Sequence, residues 1–241
     1  MQYTLIGVVR PERAPLTDFL EGRFGIDDDN LSEIRISILL NQVVVVVETE
    51  HPWDEFTLRN GIVSLLEAEL AIVGFVTGIA YDLEITRVIQ PDLELDRVFG
   101  VEEPCIVKRN EGQSLKDRIP MLRRCTEGPD GILIQRALVD LMMATRRSVD
   151  TGFYCYRAIE ALQKHAAQQG QVGPSEKARW ENFRSTGGLD RDDIQFIKDR
   201  ADPVRHGGYV GLSAAERSQV LIKSWDIVES YLEVVSAKLQ A

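Results

Sequence analysis

The chain has 241 residues, of which 44% are hydrophobic and 27% are charged, and its formal net charge at pH 7 is −10. This length suits two modest domains with separate cores, and the composition excludes disorder on a large scale. The few cysteines and histidines stand outside C-x-x-C and metal-ligand spacings, which excludes a disulfide framework, a thiolate zinc site and a histidine-rich metal centre; we therefore expect no metal or other cofactor.

The charge is unevenly distributed along the chain. Residues 1–104 carry 7 basic and 20 acidic side chains, whereas residues 105–241 carry 21 basic and 18 acidic ones. Because an acidic surface repels phosphate, we expect any nucleic-acid contact in the second half. The sequence contains neither a long uninterrupted apolar run nor a basic and then apolar leader, which predicts a cytoplasmic protein without a membrane segment.

The first half is predicted to be α+β. Strands are expected over Tyr3 to Val9 and over Leu31 to Leu40, where apolar and polar residues alternate. Asn41 and Gln42 form a turn into Val43 to Val47, a β-branched run typical of a central strand covered on both faces. A helix from Asp54 to about Thr77 and a strand from Tyr81 to Ile89 complete an antiparallel sheet with one main helix.

The second half is predicted to be an all-α helical bundle. Charge, Gly and Pro concentrate between residues 109 and 131, so we place the boundary near Arg109, between an acidic α+β domain over 1–108 and a helical domain over 109–241. Asp190 with Asp193 and Ser213 with Glu216 have the spacing of capping boxes. The predicted helices are Ile132 to about Arg146, Thr151 to Gln168, Ser175 to Arg184, Asp190 to about Ala201, and a terminal helix from Ser213.

The terminal helix carries a sustained apolar seam whose members step by three and four residues, namely Leu221, Trp225, Val228, Leu232, Val235 and Leu239. This stripe is wider than one partner helix needs. It indicates a core helix of the bundle or, alternatively, a helix whose extra apolar flank packs in a dimer.

Chemistry is suggested by an Arg-x5-His pair, Arg200 and His206, at the end of the fourth predicted helix of the bundle. An arginine can hold a phosphate oxygen while an imidazole moves a proton near neutral pH, which suffices to break an RNA phosphodiester without metal. The spacing alone occurs about once by chance in such a chain. Its context is more informative, because Pro203 and Gly207 end the helix and leave both side chains at an exposed terminus.

Residues 150–235, with Phe153 to Leu162 on one helix, Arg200 to Gly208 on another and a closing amphipathic helix, resemble the HEPN superfamily, in particular its Apea-like branch. The resemblance implies an all-α bundle that is commonly a homodimer and in which paired Arg-x4-6-His motifs meet across the dimer to cleave RNA. Other members are inactive binding modules. Ala201 and Pro203 depart from the family pattern, in which a small polar residue usually follows the arginine.

By this resemblance Arg200 would bind and polarise the scissile phosphate, and His206 would be the general acid or base for attack by the 2′-hydroxyl. Glu160 would orient Arg200, with Arg157, Lys198, Asp202 and Arg205 as supporting or RNA-binding residues. In the alternative, Arg200 pairs with a nearby carboxylate, His206 caps the helix C-terminus, and Glu160 pairs with Arg157 on their own helix. His165 is expected in solvent and His51 in a loop.

Other enzyme classes lack their defining residues, because the chain has no G-x-S-x-G elbow, Walker A loop or G-x-G-x-x-G turn. Asp92, Glu94 and Asp96 faintly suggest a metal-dependent nuclease but lack the expected lysine. The sequence therefore predicts a metal-independent endoribonuclease acting on RNA as a homodimer, in a toxin or anti-phage defence context implied by the resemblance. The alternative is a non-catalytic HEPN-like binding module with a regulatory N-terminal domain.

Overall fold

The computed structural model describes residues 1–25, 31–208 and 211–240, and it divides the chain into two compact units, Met1–Val101 and Glu102–Ala241. The predicted fold class is confirmed, since an antiparallel sheet with one helix is followed by a helical unit. The boundary lies before the predicted one near Arg109. The helix over Pro104–Arg109 belongs to the second unit because Ile106 packs into its core.

The first unit is a six-stranded antiparallel sheet with the order β2-β3-β4-β1-β5-β6. The predicted hairpin of β3 and β4 is present, but its turn is Leu40 and Asn41, both at positive φ, as in the tight turns that match strand twist. The edge strands β2 and β6 have little buried surface and were not predicted. The strands are β1 (Gln2–Arg10), β2 (Asp18–Phe24), β3 (Ser32–Leu39), β4 (Gln42–Glu48), β5 (Asp82–Gln90) and β6 (Leu95–Val98).

One helix, α1 (Glu55–Thr77), begins behind Asp54, whose side chain accepts a hydrogen bond from the Thr57 backbone N–H at 2.8 Å. Residues of α1 spaced by four are buried in the core with the inward side chains of the sheet, namely Leu58, Ile62, Leu66 and Leu70. The valine run of β4 was predicted to be covered on both faces, which is wrong. Val43, Val45 and Val47 are buried, but Val44 is 40% exposed because a single helix covers one face of the sheet.

By length and composition alone, α1 also meets the criteria for a membrane-crossing helix. The core helix of a globular domain can meet the same criteria, and α1 does contribute a buried stripe to the core. Much of the remaining surface of α1 is exposed, including Ile72, Phe75 and Val76 near its C-terminus.

The second unit is built around α5, which packs against α4, α6, α7 and α8. The prediction missed α2 and α3 and ended α7 near Ala201, whereas α7 continues through Pro203. Ser213 and Glu216 form the predicted capping box, each backbone N–H donating to the other side chain at 3.3 Å. The helices are α2 (Pro104–Arg109), α3 (Leu115–Cys125), α4 (Gly131–Arg146), α5 (Thr151–Gln169), α6 (Glu176–Gly187), α7 (Arg191–Arg205) and α8 (Ala214–Gln240).

The apolar seam of α8 lies mostly in the core of the bundle. Leu221, Val228 and Leu232 are buried, and Trp225 and Val235 pack against them, whereas Leu239 is 58% exposed. The seam therefore packs in the core of its own chain, and it leaves little apolar surface for a dimer contact through α8.

Arg217 on α8 joins several segments of the helical unit. Its Nε donates to the Thr151 hydroxyl at the start of α5 at 3.0 Å, and one Nη donates to the Thr145 carbonyl at the end of α4 at 2.9 Å. The other Nη pairs with Glu103, which precedes α2. The Arg217 side chain is only 12% exposed, so these bonds form in a largely dry environment.

We expect Arg217→Met to destabilise the helical unit by about 3 kcal/mol, because it leaves the Glu103 carboxylate and the α4 carbonyls without their partner. The free energy of opening is measured by hydrogen exchange of the slowest α5 amides. Arg124→Met, at an exposed arginine of α3, is the matched control. Equal exchange rates in both variants would show that the Arg217 contacts contribute nothing to stability.

His165 was expected in solvent, and this prediction is wrong. It is 3% exposed, and its Nδ1 lies 2.7 Å from the Tyr231 hydroxyl on α8. Burial lowers the pKa of His165 from its ordinary value of 6.5.

This shift predicts a pH dependence of stability. Below about pH 6.5 the unfolded chain gains a proton at His165 that the folded chain resists, so the stabilisation present above this pH is lost as the pH falls. We expect the free energy of unfolding to decrease more steeply between pH 7 and pH 5 in the wild type than in His165→Gln. His51→Gln, at an exposed histidine, should retain the wild-type slope. Parallel pH profiles for the wild type and His165→Gln would contradict the assignment.

Candidate functional site

Arg200 lies on the side of α7 that faces α8. Its guanidinium carbon is 3.6 Å from the centre of the Phe196 ring, and one Nη donates to the Phe196 carbonyl at 3.1 Å. The other Nη lies 3.5 Å from a carboxylate oxygen of Glu216. The Arg200 Nε is buried and has no hydrogen-bond partner among the residues that the structure describes. Arg200 is thus held in place with one N–H donor unused.

Glu216 is the carboxylate that meets Arg200. Hydrogen bonds from the Ser213 hydroxyl and backbone N–H lower the pKa of Glu216, and Arg200 lowers it further. Glu216 is therefore ionised at neutral pH and balances the charge of Arg200. This is the contact that the alternative interpretation of the sequence expected for Arg200.

His206 is the residue that ends α7, and its backbone N–H donates to the Asp202 carbonyl at 3.1 Å. The side chain is exposed and forms no hydrogen bond or ion pair with the described part of the chain, 1–25, 31–208 and 211–240. At about 100° per residue, a separation of six residues places His206 about 120° around the helix from Arg200. One chain therefore presents the two groups on different faces.

Glu160 on α5 contacts α7 through Arg205 at 3.4 Å, and not through Arg200 as expected. Asp202 lies at the same distance, 3.4 Å, from another nitrogen of Arg205. The Arg205 guanidinium lies 5.2 Å from the centre of the Tyr156 ring. Three of the predicted supporting residues, Glu160, Asp202 and Arg205, are thus brought together, but away from Arg200.

Arg157 pairs with a different helix. Its Nε donates to Asp140 of α4 at 2.8 Å, and an Nη donates to the second carboxylate oxygen. The Asp140 side chain is 2% exposed, whereas Arg157 is 37% exposed. Arg157 therefore neutralises a buried carboxylate, and it does not form the alternative pair with Glu160.

The close packing of α5 on α7 depends on Gly152. A Cβ at this position would lie 2.6 Å from the Arg200 carbonyl oxygen, closer than real contacts allow. Glycine at the start of α5 therefore lets the Arg200 to Ala201 backbone approach closely. This contact sets where the candidate residues of α7 lie along the length of α5.

Lys198 lies on the side of α7 away from α8, in a groove between α5, α6 and α7. Sequence analysis missed its neighbours Tyr156, Trp180, Arg184 and Arg191. A signal was available, because Arg191, Gln195 and Lys198 are spaced by four and three residues and must share one face of a helix.

The acidic residues considered for a metal-dependent nuclease do not form a cluster. Asp96 pairs with Arg87 on the adjacent strand, its Oδ1 accepting from Nε at 2.7 Å. Within residues 1–25, 31–208 and 211–240, no group of three or more metal-ligating side chains is assembled. What the candidate residues offer is therefore guanidinium donors, one exposed imidazole and neighbouring carboxylates.

The Arg157 contact predicts a specific loss of stability. Arg157→Gln leaves the buried Asp140 carboxylate unpaired and should cost about 2 kcal/mol, less than a fully buried pair because Arg157 is partly exposed. Asp140→Asn in the same chain should restore much of this loss, since a neutral amide needs no counter-charge. Urea unfolding of the two single variants, the double variant and the wild type measures the effect. A double variant as unstable as the sum of the single ones would contradict it.

Comparison with known proteins gives a family for each unit. Residues 3–99 match the N-terminal domain, and residues 119–236 the C-terminal domain, of a family described as a domain of unknown function, DUF8168. No curated protein and no solved structure matches the chain. The two matched segments fall within the two structural units, in the same order, and together they span most of the sequence. The chain therefore belongs to the DUF8168 family.

Proposed function

We propose that the helical unit is a HEPN-like module that acts on RNA as a metal-independent endoribonuclease in a homodimer. One observation carries this proposal. At the end of α7, the Arg200 side chain is 25% exposed and each Nη uses one of its two N–H groups within the chain, and His206 presents an exposed imidazole that bonds to nothing in the described residues. Both groups retain the hydrogen-bonding capacity that phosphodiester cleavage requires.

The chemistry follows from these two side chains. Arg200 donates hydrogen bonds to a non-bridging oxygen of the scissile phosphate and stabilises the charge that develops there. His206 takes the proton of the 2′-hydroxyl as that oxygen attacks phosphorus. The bond from phosphorus to the 5′-oxygen breaks, and the leaving oxygen gains a proton from water, while the imidazolium returns its proton to the hydroxide that is left; the products are a 2′,3′-cyclic phosphate and a 5′-hydroxyl.

A second copy of the chain supplies what one copy lacks. Because Arg200 and His206 lie about 120° apart around α7, the arginine of one copy is completed by the histidine of the other. A role in toxicity or anti-phage defence accompanies the family resemblance of residues 150–235, and the proposed cytoplasmic location comes from the sequence pattern.

A non-catalytic binding module is the second candidate function. The observation that favours it is the contact of Arg200 with Glu216, an ionised carboxylate that occupies the guanidinium from within the chain. In that case the end of α7 is a structural element, and the acidic sheet unit regulates what the helical unit binds.

Cleavage of single-stranded RNA in EDTA distinguishes the two functions. We expect His206→Ala to lower the rate by about 100-fold or more, because general acid or base catalysis is lost. His51→Ala, at an exposed histidine of the other unit, should cleave like the wild type. An inactive wild type, or equal activity in His206→Ala, would end the nuclease proposal and leave the binding module.

Mixing variants tests the shared site in the same assay. If Arg200 and His206 act across the dimer, an equal mixture of Arg200→Ala and His206→Ala recovers about a quarter of the wild-type activity, since half of the dimers carry one intact site of two. If both groups act within one chain, the mixture stays inactive.

A further inference from the structure

The groove between α5, α6 and α7 is separate from the Arg200 side of α7. It encloses about 300 Å³, within the size range of small-molecule sites. From α6 it is lined by Trp180 and Arg184, from α7 by Arg191 and Lys198, and from α5 by Tyr156. Trp180 and Arg184 are four residues apart on α6, and Arg191 and Lys198 are seven apart on α7, so each pair lies on one face of its helix.

The lining of the groove carries four cations and two carboxylates, so its formal charge is positive. The side chains of Arg184, Arg191 and Lys198 form no ion pair or hydrogen bond with any residue in 1–25, 31–208 or 211–240. Of the two carboxylates, Glu181 faces Lys177 at 3.9 Å, and the other is Glu176. Arg109, by contrast, is paired with Glu229. Unpaired cations that converge on one concave surface repel one another, which an anionic ligand relieves.

Aromatic rings form another part of the groove. Trp180 stacks on Tyr156, with ring centres 6.1 Å apart and an angle of 18° between the planes. Phe183 supports the Trp180 ring edge-on, and Arg205 lies over Tyr156. The indole is thus fixed by its neighbours, and a flat ligand ring can stack on it without a large loss of side-chain freedom.

Polar groups are also available for recognition. The Tyr156 hydroxyl has no hydrogen-bond partner in the described part of the chain, and burial raises the pKa of Tyr156 to about 12, so the phenol keeps its proton and can donate. Gln195 uses its amide nitrogen on Asp199, at 2.6 Å, which leaves its side-chain oxygen as an acceptor.

We propose that this groove binds an organic phosphate that carries a flat ring and has the size of a nucleoside monophosphate. The phosphate lies between Arg184, Arg191 and Lys198, where planar guanidinium groups from two helices can each form paired hydrogen bonds to its oxygens. The ring packs on Trp180. The enclosed volume suits such a compact ligand, whereas an RNA strand needs a longer basic track.

The groove proposal does not rest on ribonuclease activity. Arg184, Arg191 and Trp180 have no part in the proposed cleavage, and Arg200 and His206 do not line the groove. Ligand binding should therefore be unchanged in His206→Ala, so the failure of one proposal is distinguishable from the failure of the other.

Isothermal titration of the full chain with AMP, ribose 5-phosphate and pyrophosphate tests the proposal. We expect saturable AMP binding that weakens about tenfold or more in Arg191→Gln and in Lys198→Gln, with Arg136→Gln, at an exposed arginine of α4, as the matched control. Trp180→Leu should remove the preference for AMP over ribose 5-phosphate while pyrophosphate still binds, which separates loss of stacking from loss of fold.

Two results would overturn the proposal. One is the absence of saturable AMP binding, or binding that Arg191→Gln and Lys198→Gln leave unchanged. The other is binding of a short single-stranded RNA that the groove variants weaken while AMP fails to compete, which would make the groove part of an RNA track.

Discussion

The helical unit depends on the hydrogen bonds of one arginine. Arg217 reaches from α8 to the carbonyls that end α4, to the Thr151 hydroxyl at the start of α5 and to Glu103 before α2. The last carbonyls of a helix have no partner within the helix, and a cation there also meets the negative end of the helix dipole. Arg217 thus satisfies carbonyls at the end of α4 and holds Thr151 at the start of α5. Gly152 follows Thr151 and lets the Arg200 backbone approach α5, so the Arg217 contact also helps to set where Arg200 lies along α5.

Buried charge in this unit is matched locally and between helices. Asp140 is neutralised by Arg157 from α5, and Glu229 of α8 by Arg109 and Arg118 from α2 and α3. Such pairs specify which helices meet, because a wrong partner leaves a charge in a dry environment. The cations of the groove and the Nε–H of Arg200 differ from these groups, because they have no partner in the described part of the chain. Their positions are stable only because the surrounding pairs already hold the helices together.

Local sequence signals predicted most of the regular elements, but they could not predict which side chains from distant parts of the chain pair. The capping box of Ser213 and Glu216 and the seam of α8 are encoded within a few residues, so both are present as predicted. The choice of Arg205 over Arg200 as the partner of Glu160 depends on how α5 and α7 are rotated, which no local pattern encodes. The burial of His165 likewise depends on Tyr231, sixty-six residues away in the chain.

Elements were missed where their stabilisation comes from outside the segment. The helix α3 contains Pro120 and is rich in charge, and it was not predicted because charge, Gly and Pro concentrate between residues 109 and 131. Packing of Met121, Leu122 and Cys125 against the bundle holds it in place. The strand β2 pairs with β3 through its backbone while most of its side chains face solvent, so its hydrophobic pattern is weak.

One helix, α7, separates the two kinds of chemistry proposed for this unit. Its buried stripe of Ile194, Ile197 and Ala201 lies between two basic faces. Arg191, Lys198 and Arg205 repeat every seven residues, a spacing that keeps them within about 20° of one line, and two of them line the groove while the third contacts α5. Arg200 lies about 160° from Lys198 and meets α8. The two proposed sites, the groove and the end of α7, therefore lie on opposite sides of the same rigid element. Any coupling between the two sites has to pass through the position of α7, which Gly152 and the Glu160 to Arg205 pair restrict.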